Sequence, residues 1–307
     1  MKTSFVLLAV IGSLLFNTAV KAQSKNKMET INYHQTATTQ YIESNGTRYA
    51  YRILGKCTGI PLVLLQHFTG SMDNWDPKVT NELAAGSKVV LFDNKGVGAT
   101  GGESADNIAQ MAKDAIGFIK ALGYTKVNLL GFSMGGFIAQ QIALDEPGLV
   151  NKLILAGTGQ KGAVDIAEIV KPLARIASMS DEDQKLFLFY TATEHSRDLG
   201  KAAMSRIYQR TIDRDPNTAT PAIMLQLQAI LAWAQPDPDS LSRINKIGQP
   251  VLIVNGSNDT MVPTINSYIM FQNIPNARLS LYPDAGHGSI FQYPDLFVNE
   301  ATAFIAQ

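Results

Sequence analysis

Short apolar runs without alternation recur along the chain, at residues 61–65, 88–92, 127–130, 152–156 and 250–254. Strands that are apolar on both faces belong inside a parallel sheet covered by helices. Two extended segments, 40–43 and 49–53, precede them and are joined through Asn45-Gly46, whose easy positive φ suits a tight hairpin turn. Residues 278–282 give a weaker last strand. Between the runs the spacing turns helical. Ile108, Met111, Ala112, Ala115, Ile116 and Ile119 recur at i, i+3, i+4 and i+7, and Gly123 is placed to stop that helix. Phe137, Ile138, Ile142 and Leu144 predict another, running to Pro147. Strand and helix in alternation predict an α/β fold with a doubly wound, mostly parallel sheet and right-handed crossovers.

The alternation breaks once. Residues 160–249 hold no convincing strand but carry helical spacing at Ile166, Ile169, Val170 and Leu173, then at Leu186, Phe189 and Tyr190. The same spacing returns at Met204, Ile207 and Tyr208, and at Ile223, Leu227, Ile230 and Leu231. Ser180 followed by Asp181, Glu182 and Asp183 reads as a helix start, because acidic groups suit the positive end of the helix. This stretch is expected to be a helical cap inserted before the penultimate strand, on a core formed by 40–159 and 250–307. Helices packed beside the sheet would give the same pattern.

Residues 1–22 read differently. Lys2, an apolar run over 5–16 and Val20-Lys21-Ala22 make a secretory signal peptide, too short to span a bilayer. No cysteine follows the run to carry a lipid, so no stable membrane anchor is expected. Residues 23–39 are polar and read as a leader rather than an element. Removal of 1–22 leaves 285 residues with 24 basic against 26 acidic side chains. The expected product is soluble, slightly acidic and exported, either periplasmic or secreted. The whole chain carries 26 basic and 26 acidic side chains, which argues against nucleic acid as a partner. Cys57, the only cysteine, cannot form an internal disulfide, and with four scattered histidines it gives no metal-ligand spacing. Gly96-Val97-Gly98 lacks the continuation of a dinucleotide loop, so no cofactor is expected.

The sharpest chemical signal is Gly131-Phe132-Ser133-Met134-Gly135-Gly136, between an apolar strand and a helical run. A serine between glycines at such a turn is held on a strained bend, its hydroxyl above the sheet edge and near the positive end of the helix. Serine is a weak nucleophile and needs a base. His34 lies in the polar leader, His195 among charged residues of the helical stretch, and His67 after the third strand. His287, in a loop after the last strand, is the base by position and elimination. Its ring needs a carboxylate to fix the tautomer. Asp259, at the end of the penultimate strand, is preferred, and Asp284 is the rival. Acyl transfer also needs two oxyanion donors, assigned to the backbone N–H groups of Met134 and Phe68.

On these residues the chain resembles a serine hydrolase of the α/β-hydrolase superfamily, in its cap-containing branch. The acid turn Gly-x-x-Asp-x-x-Val-Pro stands here as Gly256-Ser257-Asn258-Asp259-Thr260-Met261-Val262-Pro263, and the Gly-His pair as Gly286-His287. The family's loop after strand three usually reads His-Gly-x-x-Gly. Here Gln66 takes the place of the histidine and His67 that of the glycine, leaving Phe68 as the matching donor. The family pattern Asp-x-Arg-Gly-x-Gly appears as Asp93-Asn94-Lys95-Gly96-Val97-Gly98, and lysine cannot make arginine's bidentate fork. Related epoxide hydrolases and dehalogenases use an aspartate nucleophile, so Ser133 sets this chain apart.

The resemblance implies a hydrolase of a small-molecule carboxylic ester or related acyl bond, working through Ser133, His287 and Asp259. A lactonase, aminopeptidase, carbon–carbon bond hydrolase or perhydrolase would use the same groups. A non-catalytic ligand-binding protein of the same fold is the alternative from another class. The signal-peptide reading predicts that N-terminal sequencing of exported protein begins at Gln23; a start at Met1 would overturn it.

Overall fold

The computed structural model describes residues 32–307. The predicted signal peptide and the first part of the leader lie outside the described residues. In chain order the elements are α1 (Tyr33–Thr36), β1 (Gln40–Ser44), β2 (Thr47–Leu54), β3 (Leu62–Leu65), α2 (Pro77–Gly86), β4 (Val89–Phe92), α3 (Ile108–Ala121), β5 (Val127–Phe132), α4 (Met134–Asp145) and β6 (Val150–Ala156). Five helices follow: α5 (Val170–Ile176), α6 (Asp181–Phe189), α7 (Glu194–Ile207), α8 (Thr220–Trp233) and α9 (Ser240–Ile244). The chain ends with β7 (Val251–Gly256), α10 (Ile265–Asn273), β8 (Ala277–Tyr282), α11 (Ser289–Gln292) and α12 (Pro294–Ala306).

The sheet has eight strands in the order β1-β2-β4-β3-β5-β6-β7-β8. β1 and β2 form the expected hairpin, with Asn45 and Gly46 both at positive φ. β2 also pairs antiparallel with β4, and every later pairing is parallel. The unalternating runs explain this placement. Val63 and Leu65 of β3 enter the core on one face with Phe118 of α3 and Phe137 of α4. Leu62 and Leu64 enter the other with Val79 of α2 and Phe297 of α12. A strand sandwiched between helix layers has no polar face to show.

The helical cap lies between β6 and β7, before the penultimate strand, as the fold class required. β3 lies between β4 and β5, so the chain steps to one side of it for β4 and then crosses back to the other side for β5. At such a reversal a crevice opens beyond the carboxyl ends of the strands, where α/β proteins bind ligands.

Two parts of the sequence reading need correction. The end of the polar leader carries an element, α1, because its His34 is buried: the backbone N–H donates to Asn81 Oδ1 (2.8 Å) and Nδ1 lies 2.9 Å from Thr80 Oγ1. Burial pushes this imidazole down to about 3, so it is neutral near pH 7. The second concerns α2, which hydrophobic spacing alone did not reveal. It is announced by Asp76-Pro77, a side-chain cap accepting from Lys78 N followed by proline at the first helical position.

A buried ion network ties the cap to the sheet. Arg52 on β2 donates to Asp73 Oδ1 at 2.6 Å, to the Asp213 carbonyl at 2.8 Å and to Asp215 Oδ1 at 3.2 Å. Asp73 Oδ2 accepts from Asp215 N, and Arg210 donates to the His34 and Gln35 carbonyls. Arg52 and Asp73 are almost fully buried, and the guanidinium beside Asp73 holds its carboxyl below the usual range despite burial. Removing one partner leaves the other charged and unpaired in low dielectric. Asp73→Ala is therefore expected to lower unfolding free energy by about 3–5 kcal/mol in urea titration. A loss of under about 1 kcal/mol would contradict this role for the pair.

Candidate active site

Ser133 sits between β5 and α4 with φ 56° and ψ −120°, a left-handed backbone that costs a non-glycine residue energy. Close approach on every side imposes it. A Cβ on Gly131 would lie 2.4 Å from the Gly135 carbonyl oxygen, and one on Gly135 only 2.0 Å from that of Leu65. One on Gly136 would meet the Thr158 side chain at 2.5 Å. The peptide units are pinned as well: Ser133 N donates to Ala156 O, while Gly136 N and Thr158 Oγ1 both donate to Ser133 O. The bend presents the hydroxyl at the first turn of α4.

His287 follows β8, and its Nδ1 donates to Asp259 Oδ2 across 2.8 Å. This leaves Nε2 as an acceptor when the ring is neutral. The other carboxylate oxygen, Oδ1, accepts the N–H groups of Met261 (2.8 Å) and Val262 (3.0 Å), which fixes the plane of the carboxylate. Both side chains are buried. The rival Asp284 is engaged elsewhere, accepting the hydroxyls of Thr191 and Thr193 at 2.7 Å each. Its carboxyl is thereby held below the usual range. The geometry selects Asp259 as the partner of His287.

Ser133 and His287 line one cavity of about 290 Å³ beneath α5, α6 and α8. Among the described residues the Ser133 hydroxyl makes no hydrogen bond to the His287 ring; such bonds often tighten only when substrate is bound. Phe68 lines the same cavity, and its N–H, like that of Met134, meets no protein acceptor among the described residues. Two unengaged amides beside a hydroxyl suit a developing oxyanion. Gln66 shows how the loop works without the family's histidine. Its Oε1 accepts His67 N at 2.9 Å, and its side chain fills the space in which a Cβ on Gly70 would come within 2.3 Å. The cap grips this loop too, as Gln226 accepts Thr69 N (2.8 Å) and Thr218 donates to Thr69 O (2.7 Å).

His67 is a member of the site that the sequence reading left aside. Its Nδ1 donates to Phe68 O at 2.6 Å and its ring stands edge-on to Phe132 and Phe189. Burial pushes it down to about 3, and the His287 ring adds to the effect, so it stays neutral beside the other imidazole. Its signal was its place in the family's glycine position. Phe189 lines the cavity, whereas Trp233 stacks on Phe137 in the core at 5.3 Å. Met224 is half-exposed, and His195 is a surface residue. Lys95 makes no ion pair among the described residues; its chain lies over Gly102, while Asp93 accepts from Met72 N and Ala99 N.

A sequence model of the alpha/beta hydrolase fold matches residues 60–294. The chain belongs to the α/β hydrolase fold family. An α/β hydrolase fold protein from Chitinophaga pinensis is similar in structure, with a TM-score of 0.87 and 47% identity, over 89% of this chain and 99% of that one. A proline iminopeptidase of Pestalotiopsis fici is 28% identical over 85% of this chain and 97% of its own length. A 2-hydroxy-6-oxononadienedioate/2-hydroxy-6-oxononatrienedioate hydrolase of Burkholderia vietnamiensis is 25% identical over 90% and 99%. The two relatives named for an activity, an iminopeptidase and a hydrolase, differ in substrate.

The crowding around Ser133 makes a test of the bend. Gly135→Ala must displace the Leu65 backbone and is expected to cost at least 1–3 kcal/mol, the usual range for overpacking, read as a lowered melting temperature. An unchanged melting temperature would mean that the bend is not held by this contact.

Proposed function

We propose that this protein is a serine hydrolase that cleaves a carboxylic ester or related acyl bond of a small molecule through an acyl-enzyme intermediate. The observation that carries the reading is the His287–Asp259 hydrogen bond of 2.8 Å at the wall of the cavity that Ser133 enters on its strained bend. His287 Nε2 takes the Ser133 proton as Oγ attacks the acyl carbon, and Asp259 stabilises the imidazolium that results. The Met134 and Phe68 amides receive the negative charge on the carbonyl oxygen. The imidazolium then protonates the leaving group as the tetrahedral intermediate collapses. Water, deprotonated by the same ring, releases the acid and regenerates the serine. The cavity, walled mainly by apolar groups such as Leu173, Leu188 and Ile223, suits a compact apolar acyl or leaving group. The reading of residues 1–22 as a signal peptide supports the same reaction taking place outside the cytoplasm.

A fluorophosphonate probe is expected to label wild type and not Ser133→Ala, with hydrolysis of short p-nitrophenyl esters lost in parallel. Asp259→Asn is expected to lower kcat by roughly 10⁴-fold, because it favours the wrong histidine tautomer. Absence of both labelling and ester turnover in the wild type would overturn the reading in favour of a binding protein.

A further inference from the structure

The loop that carries His287 is held from two sides, and only one of them belongs to the α/β core. On the core side, Asn258 N donates to the Ala285 carbonyl at 2.9 Å and Asp259 accepts from the ring. On the cap side, the end of α6 and the start of α7 are stitched along the loop. Phe189 O accepts Gly288 N at 2.8 Å. Thr191 and Thr193 donate to the two carboxylate oxygens of Asp284 at 2.7 Å each. Ser196 Oγ donates to Gln292 Oε1 (2.9 Å), whose amide turns back to the Asp284 carbonyl (2.7 Å). The Phe189 ring lies nearly parallel to the His287 ring, at 12° and 5.6 Å between centroids.

The glycines on either side of the histidine record how closely the cap approaches. A Cβ on Gly286 would come within 2.8 Å of Phe189 O, and one on Gly288 within 2.9 Å of Phe189 Cβ. Both therefore exclude a side chain because of a cap residue. Asp284 is held at φ 48°, a left-handed conformation that aspartate tolerates better than most residues. The bond to Asp259 fixes one nitrogen of the ring, and Phe132 of the core packs against the ring at 5.1 Å and 34°, which leaves the tilt of the ring plane open toward the cap. The parallel Phe189 face and the tethered positions 284, 288 and 292 close the ring in from that side.

Resting on the hydrolase reading above, we propose that residues 189–196 of the cap are a positioning element for His287, holding its ring plane for proton transfer with Ser133. The base is then set only when the cap is seated on the core. An acyl substrate that opened the cap on entry would find the base loosened until the cap closed over it. Asp284, Thr191 and Phe189 are positioning residues in this account, while His287 does the chemistry.

Asp284→Gly removes both hydroxyl acceptors while accepting the positive φ, and Thr191→Val cuts one of the same bonds from the cap side. Each is expected to lower kcat for a short p-nitrophenyl ester and the rate of fluorophosphonate labelling by about tenfold, with KM within about twofold, as misplacement of a catalytic group does. The two effects should not add in the double variant, because both cut one tether. Asp284→Asn, which keeps an acceptor and the backbone conformation, should recover most of the rate, as should Thr191→Ser. The downfield proton of the His287–Asp259 hydrogen bond should broaden in the NMR spectrum of the impaired variants. Variants that melt lower but label and turn over like wild type would reduce the tether to a structural contact and overturn the inference. Additive effects would overturn it as well. A wild type that is not labelled at all would instead remove the hydrolase reading, and this inference with it.

Discussion

Everything at this site follows from one crowded bend. Ser133 occupies a backbone conformation that serine avoids, and it does so because three glycines let β5, α4, the end of β3 and Thr158 after β6 approach within van der Waals distance. The strain persists because the parallel sheet and α4 are already fixed by core packing on both faces. The same approach places the end of β3 beside the bend, and so brings the loop of Phe68 to the cavity that Ser133 lines. A looser crossing would leave the hydroxyl buried in the sheet and the amides apart.

Electrostatics organise the surroundings of that bend in two distinct ways. Asp259 accepts from the His287 ring through Oδ2 and from the Met261 and Val262 N–H groups through Oδ1, so a positive charge arising on the ring would meet a carboxylate already in place. His67, kept neutral by burial next to it, adds no competing positive charge. Farther out, Arg52 and Asp73 use a buried ion pair to fasten the segment carrying Asp213 and Asp215 to β2. Buried pairs of this kind are costly to break and give little when intact, which suits a fixed point of attachment better than a source of stability.

How much of this was legible in the sequence depended on how local the cause was. Unalternating runs located the strands to within one or two residues, because burial on both faces leaves a signature inside each strand. Asn45-Gly46 and Gly131-Phe132-Ser133-Met134-Gly135 were readable because positive φ and close approach demand particular residues at particular places. Asp259 could be preferred over Asp284 but not separated from it without coordinates: both sit in polar loops, and the difference lies in Thr191 and Thr193, more than ninety positions away. The burial of His34 escaped for the same reason, since its partners Thr80 and Asn81 lie on a helix that carries its own start signal, Asp76-Pro77, rather than a clear apolar stripe. The cap could be recognised as helical, but its hold on the loops of Thr69 and His287 is made of side-chain contacts that leave no periodicity.

A nucleophilic Ser133 becomes covalently acylated during turnover in the cavity under the cap. Rapid-quench intact-mass analysis during turnover of p-nitrophenyl acetate, followed by peptide mapping, tests this. One acetyl group per chain is expected, on the peptide that contains Ser133, forming and decaying at rates compatible with turnover. Ester consumption with no adduct, or with the acetyl group on another residue, would contradict it.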